Sequence, residues 1–285
     1  MELTKNLSWS KARDILKDWR ENNQRRSVEV VEIWETVLAS KIHKLGDDRF
    51  VLLEQVSIAA LDCNRIDVAA SCIHTLIKEF PNSLRVRSLI VMKLEAQERY
   101  DEALDHLDTI IKLDESNTTA RKRKICILKA KNKIPEAIKE LTEYLKKFMT
   151  DQETWQELCD LYLAEGDYSK AAFCMEELFL HHPHNHLLHQ RYADILYTMG
   201  GPEQLELATS HYLMAINLNA KNIRALYGLL LTSQQLQNSA KTTSNKKKEA
   251  SKRVVWVSKR LKQLYQEATG NTESLNELMG SLQVS

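Results

Sequence analysis

An alanine that recurs at a fixed interval constrains this chain more than any other feature. The five alanines are Ala69, Ala103, Ala137, Ala171 and Ala208. The first three steps are 34 residues each and the last is 37, because Gly200-Gly201-Pro202 adds room for a longer turn. A period of this length predicts a stack of similar helical units. With only 7 glycines and 4 prolines in 285 residues, the chain lacks the turns that a β-sandwich or barrel needs.

Apolar residues keep one register around every alanine. Four residues after the alanines stand Ile73, Leu107, Leu141, Met175 and Tyr212. This spacing lies on one face of an α-helix, where a small alanine lets two helices approach closely. A second apolar position lies upstream in each unit, at Ala60, Leu94, Leu128, Tyr162 and Leu196. The pattern therefore predicts five pairs of helices.

The fourth unit resembles the tetratricopeptide repeat (TPR), a helix–turn–helix unit of 34 residues. The residues that carry the resemblance are Trp155, Leu158, Tyr162, Gly166, Tyr168, Ala171 and Pro183, with Cys159 in place of a glycine. The third unit departs from the pattern, since Arg121 and Lys124 stand where tryptophan and leucine are usual. We expect its first helix to be looser or partly covered by a partner. The resemblance implies an all-α fold, a TPR superhelical solenoid of antiparallel helix pairs with helical caps at both ends.

The ends of the chain are expected to cap one continuous superhelix. Ser10 is a candidate cap for a helix to Glu21, and Ser27 for a helix over 28–44. A helix over 223–236 follows the repeats, with Gly228 offering close packing, and another helix resumes near Ser251. The predicted packing stripe of this last helix is Val254, Val257, Leu261, Leu264 and Ala268. The predicted organisation is capping helices at 1–49, five helix pairs at 50–220, C-terminal helices at 221–268 with a lysine-rich loop at 238–250, and a mobile tail at 269–285.

Catalytic and metal-binding motifs are missing from the sequence. None of the patterns for phosphate loops, dinucleotide binding, serine hydrolysis or zinc proteolysis occurs, so we expect no enzyme and no cofactor. The cluster at 181–189 places His186 and His189 three residues apart, a spacing that could serve a metal ion. Because Pro183 marks a turn and no acid or cysteine completes the cluster, we expect solvated turn histidines and no metal site.

Cysteine usage and the N-terminus indicate a reducing compartment. The five cysteines are Cys63, Cys72, Cys126, Cys159 and Cys174. Their number is odd and no two form C-x-x-C, so we expect reduced, semi-buried thiols. Charges run through 1–23, so we expect no secretory leader there.

Charge is balanced overall but uneven along the chain. The net charge of +1 gives no field toward nucleic acid, and we expect no nucleic-acid partner. The run Arg121-Lys122-Arg123-Lys124 fits either a solvated face or a partner contact. Residues 241–265 hold nine basic residues and one acid. That cluster fits either solvated lysines or contact with anionic lipid head groups.

The first helices of stacked units line a concave surface that binds other proteins. In the TPR register the inward positions are Glu54, Ile58, Ser88, Met92, Lys122, Cys126, Gln156, Asp160, Gln190 and Asp194, and Lys129 lies on the same helix as Lys122. This lining is basic in the middle and acidic later. It lacks the lysine–asparagine pairs with which TPR co-chaperones hold a carboxylate. Ala69, Ala103, Ala137, Ala171, Ala208, Trp155 and Tyr162 are assigned to packing between helices.

Over nearly its whole length the chain resembles the TPR subunits, subunit 2, of the ER membrane protein complex. The segments that carry this resemblance are WSKARDILKDWRENN, WQELCDLYLAEGDYSKAAFCMEELFLHHP, RYADILYTMGG and VVWVSKRLKQLYQEA. The resemblance implies a non-catalytic, peripheral scaffold on the cytoplasmic face of the endoplasmic reticulum membrane. Its partners would be membrane-embedded subunits and a soluble subunit of the complex, which inserts tail-anchored and multipass proteins. The alternative is a free-standing cytosolic TPR adaptor or co-chaperone.

Overall fold

The computed structural model describes residues 7–239 and 243–269, together with Gly280. These residues form α-helices and no strands, which confirms the all-α prediction. The α-helices are α1 Trp9–Glu21, α2 Ser27–Ile33, α3 Asp48–Asp62, α4 Ile66–Glu79, α5 Leu84–Ala96, α6 Tyr100–Leu113, α7 Thr118–Ala130, α8 Ile134–Lys147, α9 Gln152–Ala164, α10 Tyr168–His181, α11 His186–Met199, α12 Pro202–Leu218, α13 Ile223–Asn238 and α14 Ser244–Thr269. Within the described ranges, no helix combines the length and apolarity needed to cross a bilayer.

The contacts group the chain into two compact units, 1–140 and 141–285, with the division inside α8. In the first unit, one apolar cluster runs from α1 to α5 and a second joins α5, α6 and α7. In the second unit, helices pack in sequence order: α9 with α10, α11 with α12, and α13 with α14. The single continuous superhelix stays a prediction.

The five repeat alanines are all fully buried, with exposed fractions of 0%. Each lies in the second helix of its pair, in α4, α6, α8, α10 and α12 respectively. In a close-packed core, a side chain larger than methyl at such a position has to displace its neighbours. The alanine period in the sequence is therefore a period of helix–helix contacts.

A polar cap begins every first helix from α5 to α13. The caps are Ser83, Asn117, Asp151, Asn185 and Asn222, and each side-chain oxygen accepts a hydrogen bond from a backbone N–H in the first turn. Their steps of 34, 34, 34 and 37 match those of the alanines. A cap satisfies one of the backbone donors that have no partner at a helix start. The caps therefore fix where each unit begins.

The first four of the five turns within repeat helix pairs each contain a residue in the left-handed region, again at steps of 34. These residues are Asn64, Glu98, Asn132 and Gly166, with φ values of 56°, 58°, 56° and 74°. Asparagine and glycine enter this region at low cost, whereas glutamate is strained by its Cβ. The first four turns thus share a positive φ at one position, where Glu98 is the least suited residue, whereas the fifth turn has two positive-φ glycines, Gly200 and Gly201.

The N-terminal helices differ from the prediction in their starts and regularity. Ser8, not Ser10, caps α1. Ser27 lies inside α2, where its hydroxyl donates to Asp62 Oδ2 at 2.6 Å instead of capping. The predicted helix over 28–44 ends early, because Trp34–Leu38 form a π-helical turn and Ala39–Leu45 a 3₁₀ segment.

The predicted lysine-rich loop at 238–250 is largely wrong, because α14 already begins at Ser244. Ala250 explains the earlier start: it is fully buried and clusters with Leu205 and Leu236. Burial of Val257, Leu261 and Leu264 confirms the predicted packing stripe, whereas Val254 is half-buried. The Ala268 side chain and the predicted tail, apart from Thr269 and Gly280, lie outside the described residues.

Candidate partner-binding surface

In the first unit, the inward positions on α3 and α5 contact their own unit. The Glu54 carboxylate accepts a hydrogen bond from Arg85 Nε at 2.6 Å, which joins α3 to α5. Ser88 donates its hydroxyl to the Leu84 carbonyl at 3.0 Å. Ile58 and Met92 are partly buried against the apolar cluster. These positions therefore combine packing with partial exposure.

A cavity of about 310 Å³ opens beside Glu54 and Ile58. Trp19 and Ile58 contribute apolar surface, and Arg20, Arg25, Arg26 and Arg85 contribute guanidinium groups. Arg25 is ion-paired with Asp62, which lowers the pKa of that carboxyl mainly through the hydrogen bond from Arg25. The first unit thus has a basic-rimmed apolar recess beside two of the predicted inward positions.

Helix α7 carries the basic run, and most of that run contacts neighbouring helices. Arg123 is paired with Glu95 of α5, and Lys124 Nζ lies 3.0 Å from Asp108 and 2.8 Å from Glu140. Burial lowers the Lys124 pKa, but the hydrogen bonds that its ammonium donates to Glu140 and Asp108, together with the charges of those carboxylates, outweigh burial and leave the pKa raised.

Regularity of α7 contradicts the expectation of a looser first helix. Asn117 caps it, and Ile125, Ile127 and Leu128 are buried. The lysine that replaces the usual leucine, Lys124, holds the two flanking second helices through their carboxylates.

The remaining inward positions of α7 are open to solvent to different degrees. Cys126 is exposed, whereas Lys122 and Lys129 are half-buried. Exposure of Cys126 departs from the expectation of a semi-buried thiol. The positions lie on one turn-to-turn face of the helix, as the register requires.

In the second unit, the two inward acids are neutralised by arginines of the next first helix. Asp160 of α9 is ion-paired with Arg191 of α11. Asp194 of α11 accepts hydrogen bonds from Tyr212 at 2.6 Å and from Arg224 of α13 at 2.9 Å. This face is therefore less acidic than its inward residues alone indicate.

Two glutamines complete the inward positions of the second unit. Gln190 donates to Asp194 at 3.4 Å and is half-buried. Gln156 is exposed on α9. Two inward residues of this unit, Gln156 and Asp160, are therefore exposed, and Asp160 is ion-paired with Arg191.

The arginines opposite the inward acids were missed in the sequence reasoning. The pairs Glu54–Arg85, Asp160–Arg191 and Asp194–Arg224 span 31, 31 and 30 residues. An acid followed about one repeat later by an arginine predicts an ion pair, because consecutive first helices lie side by side in such a stack. Reading each inward position alone hides it.

The histidine cluster is partly buried, which corrects the expectation of solvated turn histidines. His189 is 7% exposed, and its Nε2 lies 2.9 Å from the Pro183 carbonyl. Its Nδ1 lies 3.0 Å from His211 Nδ1, and Phe179 stacks on both rings. His186 contacts the side chains of Asn219 and Asn222 instead. The two histidines of the proposed metal spacing therefore have different partners.

The signature aromatic residues of the fourth unit anchor local structure. Trp155 donates its indole N–H to the Met149 carbonyl at 2.8 Å and meets Phe173 edge to face. The Lys170 ammonium lies over the Tyr162 ring at 5.3 Å. Both side chains are half-buried rather than deep in the core.

Three buried thiols are poor nucleophiles. Burial raises the pKa of Cys72 to about 12, of Cys159 to about 11 and of Cys174 to about 12. Since the thiolate is the reactive form, these cysteines are inert at neutral pH. Within the described ranges, no group of three or more metal-binding side chains is brought together.

Comparisons with known proteins give a consistent family. The model of the EMC2 TPR-like repeat domain matches residues 68–200. ER membrane protein complex subunit 2 of Xenopus tropicalis is 47% identical over 260 residues, covering 91% of this chain and 88% of the relative. The protein of the same description from Dictyostelium discoideum is 27% identical over 245 residues, covering 81% and 76%.

Among solved structures, the C-terminal part of a TPR repeat-containing protein from Cytophaga hutchinsonii matches with a TM-score of 0.59. It covers 91% of this chain and 98% of that chain at 14% identity. At that identity the likeness shows the fold alone. The TPR fold predicted from the repeat is confirmed.

Proposed function

Because the chain belongs to the ER membrane protein complex subunit 2 family, we propose that it is a non-catalytic scaffold subunit of that complex. In this role it holds cytosolic segments of membrane-embedded subunits and a soluble subunit on the cytoplasmic face of the endoplasmic reticulum. It thereby supports insertion of tail-anchored and multipass membrane proteins. The observation that carries the proposal is the 47% identity over 260 residues, which extends well beyond the TPR-like repeat domain.

The chemistry of the described residues supports binding rather than catalysis. The inward acids Asp160 and Asp194 are occupied by arginines, and Cys159 and Cys174 are buried with raised pKa values. A general base or nucleophile must reach its substrate in a reactive protonation state. These groups instead hold neighbouring helices together.

The proposed binding surface is the row of first helices in each unit. In the first unit we assign partner contact to the recess beside Ile58 and to Ser88, Met92, Lys122, Cys126 and Lys129. In the second unit we assign it to Gln156, Asp160, Gln190 and Asp194. Partly buried apolar side chains beside partly exposed polar groups suit an extended segment of a partner, which would supply both apolar and hydrogen-bonding contacts.

A variant that blocks one first helix tests the assignment. Gln156 is an exposed residue of α9, a first helix, and Gln156→Arg adds bulk and a positive charge there. The control is Ser169→Arg, which adds the same group at an exposed position of α10, a second helix. The tagged full chain is recovered from a membrane fraction in mild detergent, and co-purified proteins are identified by mass spectrometry. We expect the wild type and Ser169→Arg to retain ER membrane subunits, and Gln156→Arg to lose at least one of them.

The first unit has its own matched pair. Lys122→Glu reverses an inward charge on α7, and Lys112→Glu makes the same change on exposed α6. Circular dichroism melts of both variants establish that the fold is kept before the recovery of subunits is compared. Equal recovery of every subunit by all four variants would reject the surface. Recovery of soluble chaperones alone by the wild type would reject the scaffold role and favour a free-standing adaptor.

A further inference from the structure

Helix α14 has two faces of different character. Ala250, Val257 and Leu261 are fully buried and Leu264 nearly so, on the side that packs against α13. Over its 26 residues the helix carries eight basic and two acidic residues. Most of the basic residues must therefore lie away from the packed side.

A stripe of four lysines runs along the exposed face of α14. Its residues are Lys248, Lys252, Val255, Lys259 and Lys262, spaced alternately by four and three. That spacing keeps all five on one face, over a length of about 21 Å. Each of them is exposed, and Val255 at the centre is 70% exposed. Trp256 borders the stripe and is 49% exposed.

The lysines of the stripe differ from the other basic residues of the helix. Lys246 is paired with Glu206, and Arg253 with Glu249 of the same helix. Within the part of the chain that the structure describes, none of the four stripe lysines has a carboxylate within ion-pair distance. Their charges are therefore available to an outside anion.

We propose that this lysine stripe docks on the surface of an anionic phospholipid bilayer. A straight row of ammonium groups matches a flat negative surface, where each lysine near the head groups contributes roughly 1 kcal/mol. Tryptophan favours the boundary between head groups and acyl chains, where its ring is buried and its N–H stays wet. A convex helix face offers no recess for an acidic peptide, which favours the lipid surface over a protein partner.

The inference deepens the proposed function, on which it rests for the identity of the membrane. It adds that the chain contacts lipid directly rather than only through membrane-embedded subunits. Because the contact is electrostatic, it is expected to weaken as added salt screens the lysines.

The purified full chain is tested by flotation with two kinds of vesicle. One kind is phosphatidylcholine alone, and the other contains phosphatidylcholine and phosphatidylserine at 7:3. We expect the wild type to float with the anionic vesicles and not with the neutral ones. Raising the salt concentration from 0.1 M to 0.5 M should release it.

Charge reversal locates the contact. Since each lysine is worth roughly fivefold in partition, Lys252→Glu with Lys259→Glu should lower the partition coefficient at least about 25-fold. The control is Lys112→Glu with Lys139→Glu, which makes the same charge change at exposed positions of α6 and α8 and should leave vesicle binding near wild type. Trp256→Ala should weaken binding while leaving its salt dependence intact. Circular dichroism melts of every variant establish that the fold is kept.

The outcomes separate this inference from the proposed function. Equal partition of the wild type between the two vesicles, or equal loss in the two double variants, overturns lipid docking. If the wild type binds neither kind of vesicle but still co-purifies with membrane subunits, the scaffold role is supported and the lipid contact is rejected. If Lys252→Glu with Lys259→Glu loses a protein subunit but not vesicles, the stripe binds an acidic protein and the proposal is overturned.

Discussion

At Gly228 the absence of a side chain lets α13 approach α12 closely. A Cβ built at this position would lie 2.3 Å from the Tyr212 ring. Tyr212 cannot easily give way, because it is 1% exposed and its hydroxyl donates to Asp194 at 2.6 Å. The sequence reasoning identified Gly228 as a packing position, but the partner ring depends on which helices become neighbours.

Gly228→Ala is therefore expected to lower the free energy of unfolding by about 1–3 kcal/mol through overpacking. Alanine is otherwise the better helix former, so a loss cannot come from helix propensity. Urea denaturation measures the change. In a Tyr212→Leu background, which removes the ring, the same substitution should cost much less. An equal cost in both backgrounds would contradict the close approach.

His211 makes the stability of the second unit depend on pH. Burial, followed by the nearby His189, lowers the pKa of His211 from 6.5 to about 4. Between these values the unfolded chain binds a proton that the folded chain does not, so this contribution to stability is complete above about pH 6.5 and is lost as pH falls toward 4. We expect the free energy of unfolding to decline from pH 7 to pH 5, by up to about 1.4 kcal/mol per pH unit for one proton.

His211→Gln keeps a donor toward His189 and should reduce that decline, as measured by urea denaturation at both pH values. Exposed His184 supplies the control, because His184→Gln removes a solvated imidazole and should leave the decline unchanged. An identical pH dependence in wild type and His211→Gln would show that His211 titrates normally in the folded chain.

At the scale of helices and turns, the sequence predicted the period and the second helices but not the boundaries. The alanine register placed Ala69 and Ala171 in the core because burial depends on local helical spacing. The π-helical turn at Trp34–Leu38 and the early start of α14 at Ser244 depend on which residues each segment packs against. Tertiary contacts of that kind leave no periodic signal in the sequence.

The repeated left-handed turn gives a matched pair of substitutions. Gly166 and Glu98 occupy the same turn position, at φ 74° and 58°. Gly166→Ala places a Cβ in that region and should lower the free energy of unfolding by about 1 kcal/mol. Glu98→Gly removes the same strain and should be neutral or stabilising by up to about 1 kcal/mol. Thermal and urea melts measure both, and a destabilised Glu98→Gly would mean that its side chain contributes contacts worth more than the strain.

At the scale of the whole molecule, the ion pairs that neutralise the inward acids join neighbouring repeats only. Glu54–Arg85, Asp160–Arg191 and Asp194–Arg224 each join one first helix to the next. The inward acids could be located from the sequence because the TPR register assigns them. The sequence reasoning could not predict that arginines neutralise these acids, because the ion pairs form only when two first helices lie side by side. A binding face read from single positions thus overstates its charge.

Local contacts of this kind predict that the chain does not unfold in one step. In a repeat protein, stability is close to a sum of unit terms and nearest-neighbour interfaces, so a lesion acts mainly near its own site. Gly228→Ala should speed amide hydrogen exchange in peptides from α11 to α13 and leave α3 to α6 near wild type. Ala103→Leu, which overpacks a fully buried position of α6, should give the reverse pattern. Hydrogen exchange read by mass spectrometry separates the two. If either variant speeds exchange equally in both regions, the chain unfolds as a single cooperative body. Contacts restricted to neighbouring repeats would then not divide the chain into separately unfolding parts.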